Sequence, residues 1–336
     1  MDLQDPIDRR ATALFAAEAE IADLQQAADV LGASDAGMRD HYRRAAMAAS
    51  SPFLYTDSHF RMGTGHEGEG SPCQDWATHG FQDGLPFAIV SDGCSTSGRT
   101  DLGARFLALA ATGEIAWAAS EGPDIFQRRV LDRVSQAARL LGTASGDLDA
   151  TLVLVMAEAG GGARAVVFGD GVVVARGPQG MEIHVVEWAG NMPGYPGYAA
   201  DPVLRNRFIA LSDQAAREAK RPACTVTRIL LDDIGTEVSS EVWGLDAEQA
   251  LSGIVLTWPA TAALDSLSAL TDGVGQFSSA AGHSVATELT AFKASRVGEF
   301  VRRRMTKALA LMAKRDQRPI DDIAIASIAT GGQANA

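Results

Sequence analysis

The chain has 336 residues, 46% of them hydrophobic and 21% charged, with a formal net charge of −13. That length suits one large layered domain plus an appendage as well as two domains, and the composition excludes intrinsic disorder. The acidity argues against a nucleic-acid partner, because phosphate neutralisation needs clustered cations and the longest basic run is Arg302-Arg303-Arg304.

Three cysteines, Cys73, Cys94 and Cys224, are an odd number without a secretory leader, so a disulfide framework is not expected. The start, MDLQDPIDRR, has no apolar core, and no stretch approaches the roughly 20 apolar residues of a membrane span. A soluble, cytoplasmic protein with no membrane partner is the expectation.

In chain order, residues 7 to 48 place Ile21, Leu24, Ala28 and Leu31 at helical spacing, which predicts an N-terminal helical extension over 1–50. Arg61 to Pro72 is rich in small and turn-forming residues and reads as an irregular approach to the first strands. Phe87-Ala88-Ile89-Val90 reads as a strand stopped by Ser91-Asp92-Gly93. Two helical stretches follow, over 102–118 and 125–141.

The character then changes to strands near 151–156, 165–168, 172–175, 183–188 and 226–231, with hairpins as the natural connections and Gly169-Asp170-Gly171 as one such turn. Residues 189–222 read as a surface excursion. Strands recur near 254–258 and 268–271. A helical pattern spans 284–313, broken near 294–296, and an alternating strand closes the fold at 323–328. The main domain is expected over 51–330, with a frayed tail at 331–336.

Three times an apolar run ends in Asp-Gly: at Asp92-Gly93, Asp170-Gly171 and Asp272-Gly273. Asp321-Asp322 opens the last strand, and Asp75 precedes a segment that reads as the first. Any single Asp-Gly is an ordinary turn. Strand ends of one sheet can converge, however, and several carboxylates in one small volume are costly unless cations neutralise them. Hard divalent cations, Mg2+ or Mn2+, suit such an oxygen-rich set better than zinc.

These residues resemble the metal-dependent Ser/Thr protein phosphatases of type 2C, the PPM family. The matching pieces are Pro72-Cys73-Gln74-Asp75, Phe87 through Gly93, Asp101-Leu102-Gly103-Ala104, Asp149-Ala150-Thr151-Leu152, Phe168-Gly169-Asp170-Gly171, Leu270 through Val274 and Asp321-Asp322-Ile323-Ala324. They run in family order over residues 66 to 328. The stretch from Gly65-His66 to Asp75 looks most like the bacterial branch.

The resemblance implies an α+β fold: a four-layer α/β/β/α sandwich of two mainly antiparallel sheets flanked by helix pairs. It implies two bound cations, with Asp92 bridging both, the Gly93 carbonyl helping one, and Asp272 and Asp321 on the other. Asp75 would act beside the ligands or through water, with Asp75, Asp92 and Asp272 forming the catalytic set. Asp170 would match the aspartate of a third, looser metal site, and Asp322 would not be a ligand. The substrate would be a phosphoprotein hydrolysed at phosphoserine or phosphothreonine by an activated water, in a kinase/phosphatase pair.

Many relatives carry an arginine five residues before the first aspartate, where it grips phosphate; here that residue is Gly70. Arg61 and His66 are the nearest substitutes. The missing arginine motivates the alternative of a catalytically weak regulatory or binding module of the same fold. Tyr195 and Tyr198 read either as a flap beside the cleft or as packing residues.

Overall fold

The structure, a computed structural model, describes residues 51–331 apart from 83, 96–99, 144 and 159. The N-terminal helical expectation and all but the first residue of the tail lie outside the described residues. The elements are β1 (Phe53–Arg61), α1 (Thr64–Glu69), β2 (Asp75–Gln82), β3 (Leu85–Asp92), α2 (Thr100–Thr112), α3 (Ile115–Ser120), α4 (Pro123–Leu141), β4 (Leu152–Ala157), β5 (Ala163–Phe168), β6 (Gly171–Gly177) and β7 (Gly180–Trp188). There follow α5 (Pro202–Ala219), β8 (Cys224–Leu231), β9 (Glu237–Leu245), α6 (Ala247–Leu251), β10 (Ile254–Trp258), β11 (Ser266–Leu270), α7 (Gly282–Leu289), α8 (Phe300–Ala313) and β12 (Ile323–Thr330).

The strands form two sheets, one ordered β1-β12-β11-β6-β7-β8-β9 and the other β10-β5-β4-β3-β2. Every pairing between them is antiparallel. Three apolar cores separate four layers, as the α/β/β/α expectation requires. Val90, Val153, Val167, Val173, Leu267 and Ala326 fill the space between the sheets. Ile183, Leu270, Val301 and Met305 join the seven-stranded sheet to α7 and α8. Ile89, Leu107, Phe126 and Leu154 join the five-stranded sheet to α2 and α4. Covered on both faces, β3 and β4 are continuous apolar runs with little alternation.

Several local expectations change. Residues 61–72 are not wholly irregular, since β1 runs to Arg61 and α1 spans 64–69. The 189–222 excursion contains the 18-residue α5, capped by Asp201, whose Oδ1 accepts from the Val203 and Leu204 N–H groups. Strands β1 and β9 add to the strands that the sequence pattern predicts. The helical pattern of 284–313 does break, into α7 and α8.

Gly169-Asp170 is not a hairpin turn, because β5 and β6 lie in different sheets and the chain crosses the sandwich there. Gly169 takes φ 86°, and a Cβ on it would stand 2.8 Å from the Thr151 methyl. Only glycine accommodates that corner.

Candidate metal centre

Asp75, Asp92, Asp170, Asp272 and Asp321 converge at one end of the sandwich. β2 and β3 pair so that Asp75 lies directly opposite Asp92. Thr151 fixes Asp92: its Oγ1 accepts from the Asp92 N–H at 3.1 Å, and its own N–H donates to the Asp92 carbonyl at 2.8 Å. The carboxyl groups of Asp75 and Asp272 both act directly on that of Asp92. Asp321, at the mouth of β12, acts electrostatically on Asp272, as does Asp272 on Asp170.

Burial is the first cause that pushes the Asp75, Asp92, Asp170 and Asp272 carboxyls above the usual range. Like charge adds to it: Asp75 and Asp272 act on Asp92, and Asp321 acts on Asp272. Asp170 is pushed up to about 8. Among the described residues no Lys, Arg or His forms an ion pair with Asp75, Asp92, Asp170 or Asp272. A buried, mutually repelling oxygen set with no cationic partner fits hard divalent cations.

The backbone fits them as well. The Gly93 N–H donates to the Gln74 carbonyl at 3.2 Å, and its own carbonyl accepts no hydrogen bond among the described residues. A Cβ on Gly93 would lie 2.6 Å from the Thr100 carbonyl oxygen, so the close approach of α2 to this turn requires glycine.

Asp322 is 2% exposed and acts as a clamp. Its Oδ1 accepts from the Gly63 N–H and its Oδ2 from the Gln74 N–H, both at 2.7 Å. The first turn of α1 is further stitched to the chain before β12 by Gly65 N–H donating to the Ile320 carbonyl at 2.9 Å. This places His66 Nδ1 2.9 Å from Asp322 Oδ2 and 3.9 Å from Asp321 Oδ1. His66 therefore stands at the rim of the acidic set, beside two carboxylates.

Arg61 does not join it. On β1 it shares a face with Asp57 and His59, and Asp57 accepts from the Val301 N–H at the start of α8. That face looks toward the outer helices, away from the carboxylates.

Residues that the sequence did not single out complete the site. Thr271 Oγ1 donates to Asp75 Oδ2 at 2.6 Å, and Gln276 Nε2 donates to Asp272 Oδ2 at 3.1 Å. A cavity of about 520 Å3 adjoins Asp170 and Asp272, and of the residues lining it only Arg221 and His283 can carry positive charge. Arg221 is held by donating to the Trp188 carbonyl at 2.7 Å.

Tyr195, read as either flap or packing, is 7% exposed, with its hydroxyl hydrogen-bonded to Cys94 and within the field of Asp92 and Asp170. Burial, then those neighbours, push its phenol far above the usual range. It packs with Tyr198 at 5.4 Å between ring centres, and Tyr198 with Phe208 of α5 at 4.8 Å.

The fold is a two-sheet antiparallel sandwich between helix layers that collects aspartates from strand ends of both sheets. The profile of the protein phosphatase 2C family matches residues 62–312, and the chain belongs to that family. Solved structures to which the chain is similar include a bacterial serine phosphatase bearing an arginine-to-lysine substitution, at 11% identity and TM-score 0.48, covering 83% of this chain and 98% of that one. Another is the PPM Ser-Thr phosphatase MsPP of Mycobacterium smegmatis in complex with cacodylate, at 18% identity and TM-score 0.42, covering 84% and 100%. A third is PppA of Pseudomonas aeruginosa, described as a key regulatory component of T6SS, at 14% identity and TM-score 0.45, covering 83% and 99%. No curated protein sequence matches the chain. Among the described residues no helix is long and apolar enough to cross a membrane.

Proposed function

We propose that the protein is a metal-dependent protein phosphatase that hydrolyses phosphoserine and phosphothreonine. The observation that carries this reading is the clustering of the buried Asp75, Asp92 and Asp272 carboxyls, with Asp170 and Asp321 beside them and, among the described residues, no cationic partner for Asp75, Asp92, Asp170 or Asp272. Asp92 with the Gly93 carbonyl, Asp272 and Asp321 would hold two ions, Mg2+ or Mn2+, and Asp170 a third. Such ions, when bound, supply Lewis acidity toward a phosphoryl group and make water a nucleophile at neutral pH.

The chain's own residues do the rest. Thr271 fixes Asp75 through its hydroxyl, so that Asp75 accepts a hydrogen bond from water in one orientation. Gln276 does the same for Asp272. Arg221, in the wall of the cavity beside Asp170 and Asp272, meets the phosphate in place of the arginine missing at Gly70. Tyr195 holds its proton and stands as a neutral donor beside Asp92. Tyr198, Phe208 and Leu211 line an adjoining apolar groove of about 310 Å3 that receives the residues flanking the phosphorylated one. The physiological partner is then a phosphoprotein, the product of a Ser/Thr kinase.

The test is hydrolysis of para-nitrophenyl phosphate and of a phosphothreonine peptide with and without manganese, in wild type, Asp92→Ala and Asp272→Ala. Manganese-dependent turnover lost by at least about 100-fold in both variants is expected. Metal-independent turnover, or turnover unchanged in the variants, overturns the reading. A silent wild type that still binds manganese supports the regulatory alternative instead.

A further inference from the structure

Where α7 ends, the chain loops over α8 before entering it, and a cavity of about 470 Å3 opens between the loop and the helix. Its polar lining consists of Lys293 and Ser295 from the loop and Arg303, Arg304 and Lys307 from α8; no carboxylate lines it. On α8 the lining positions 300, 303, 304 and 307 follow the spacing of one helix face. Four cations thus face one volume in a chain whose net charge is −13.

The nearby acids are paired with arginines outside the groove, although Glu288 also acts electrostatically on Arg304. Glu299 pairs with Arg302 at 3.0 Å and Glu288 with Arg315 at 2.6 Å. Among the described residues neither the Lys293 nor the Lys307 side chain has a hydrogen bond or ion pair, so their ammonium groups are unanswered.

The two arginines are tethered in a way that leaves donors free. Arg303 Nη1 donates to the Val297 carbonyl at 2.9 Å, and Arg304 Nε donates to the Glu288 carbonyl at 2.5 Å. Each spends one N–H on backbone, which fixes the guanidinium plane and leaves the rest of the fork for an oxyanion. The loop itself is pinned. Arg296 is 7% exposed, lies 5.4 Å over the Phe292 ring and donates through Nη1 to the Lys293 carbonyl.

We propose that this groove is a binding site for clustered phosphoryl anions, held by Lys293, Arg303, Arg304 and Lys307. Like charges gathered without a partner repel, and a multiply charged anion relieves that repulsion while accepting several charge-assisted hydrogen bonds. The groove shares no lining residue with the aspartate centre or its cavity. The inference does not rest on the phosphatase reading.

The full-length protein, without added metal so that the acidic centre repels phosphate, is titrated calorimetrically with inorganic pyrophosphate and with a peptide carrying two phosphothreonines. Binding with Kd below about 1 mM is expected for at least one probe. It should weaken at least about 10-fold in R303Q/K307Q, weaken on raising salt from 0.05 to 0.5 M, and stay unchanged in Asp272→Ala. A free anion as the ligand predicts equal affinity for the two probes; a phosphoprotein segment predicts tighter peptide binding. The single variant Lys293→Gln, on the exposed loop, should weaken binding at least about 3-fold, and it stands as the test if the double variant does not fold. Failure of both probes to bind, or affinity untouched by Lys293→Gln and by R303Q/K307Q, overturns the proposal.

Discussion

Thr271 ties Asp75 to the opposite sheet. Its hydroxyl donates to Asp75 Oδ2 at 2.6 Å and its oxygen accepts from the Ala324 N–H at 2.9 Å, so one side chain joins β2, the end of β11 and β12. Thr271→Val keeps the volume and strands two buried polar groups. A loss of about 1–3 kcal/mol in urea unfolding is expected, with manganese affinity falling as well. Thr271→Ser should recover most of both. A valine variant that matches wild type in both measurements would show the hydroxyl to be idle.

The acidic centre should trade stability for metal binding. In EDTA, Asp92→Asn removes one of several repelling charges and is expected to raise Tm. Saturating manganese at about 100 times its Kd should stabilise the wild type by about 2.7 kcal/mol, a rise in Tm of roughly 5–10 °C, and stabilise Asp92→Asn far less. Differential scanning calorimetry with and without EDTA reads both effects. An Asn variant that loses stability in EDTA and still responds fully to manganese contradicts this account.

The same carboxyls set a pH dependence whose sign is fixed. Asp170 has its folded pKa pushed to about 8 from an ordinary 3.8, and Asp75, Asp92 and Asp272 move the same way. The metal-free native state therefore binds more protons than the unfolded chain, and stability is lost as pH rises from about 4 through 8. His59 and His79, lowered by burial, act in the opposite direction near pH 6. Between pH 7 and 8.5 the aspartates dominate: Tm in EDTA should fall over that interval, and the fall should vanish with saturating manganese. At the acid end, burial would raise Glu182, but hydrogen bonds from His184 and Arg228 hold it down to about 2, so its contribution is lost as pH drops from about 4.5 toward 2.

Asp322→Ala should be more damaging than a substitution at the neighbouring, more exposed Asp321. It removes the acceptor of two backbone N–H groups at 2.7 Å, from Gly63 and Gln74, in a buried site. About 2–4 kcal/mol is the expected loss, with Asp322→Asn retaining part of it. Because Gln74 precedes Asp75, manganese affinity should fall along with stability. Chemical denaturation of Asp321→Ala and Asp322→Ala side by side decides the ranking.

Arg221→Ala should raise KM for a phosphopeptide by roughly 10-fold, with a smaller effect on kcat, because Arg221 lines the cavity beside Asp170 and Asp272 and forms no ion pair with either carboxyl. Arg61→Ala, on the face of β1 turned toward α8, should leave both constants unchanged. Steady-state kinetics on one phosphopeptide separate the two arginines.

Much of this was legible in the sequence. Apolar runs that stop at Asp-Gly mark β3 and β11, because a buried strand must end where a carboxylate and a turn begin, and the two carboxyls do meet. The break between α7 and α8 was visible as well. Other features left no signal. Gly169-Asp170-Gly171 has the composition of a hairpin turn, and only the tertiary fold shows that the chain changes sheets there. Strand β9 is exposed along almost its whole length, so it lacks the alternation that betrays a half-buried strand. Arg221 lies far in sequence from every motif and reaches the cavity through the packing of the 189–222 segment. Asp321 and Asp322 are chemically identical neighbours whose division into rim carboxylate and buried clamp depends on strand orientation alone.

The clustered aspartates come from both halves of the sandwich: Asp75 and Asp92 from the five-stranded sheet, Asp272 and Asp321 from the ends of strands in the seven-stranded one. An ion seated among them would rivet two slabs otherwise joined mainly by apolar contact, and a rivet registers any slippage between the plates. Core substitutions between the sheets, at Val153 or Leu267 for instance, lie away from the chemistry, yet they would alter the spacing of the aspartates. Metal affinity, under the proposed function, would thereby also gauge how squarely the two sheets are stacked.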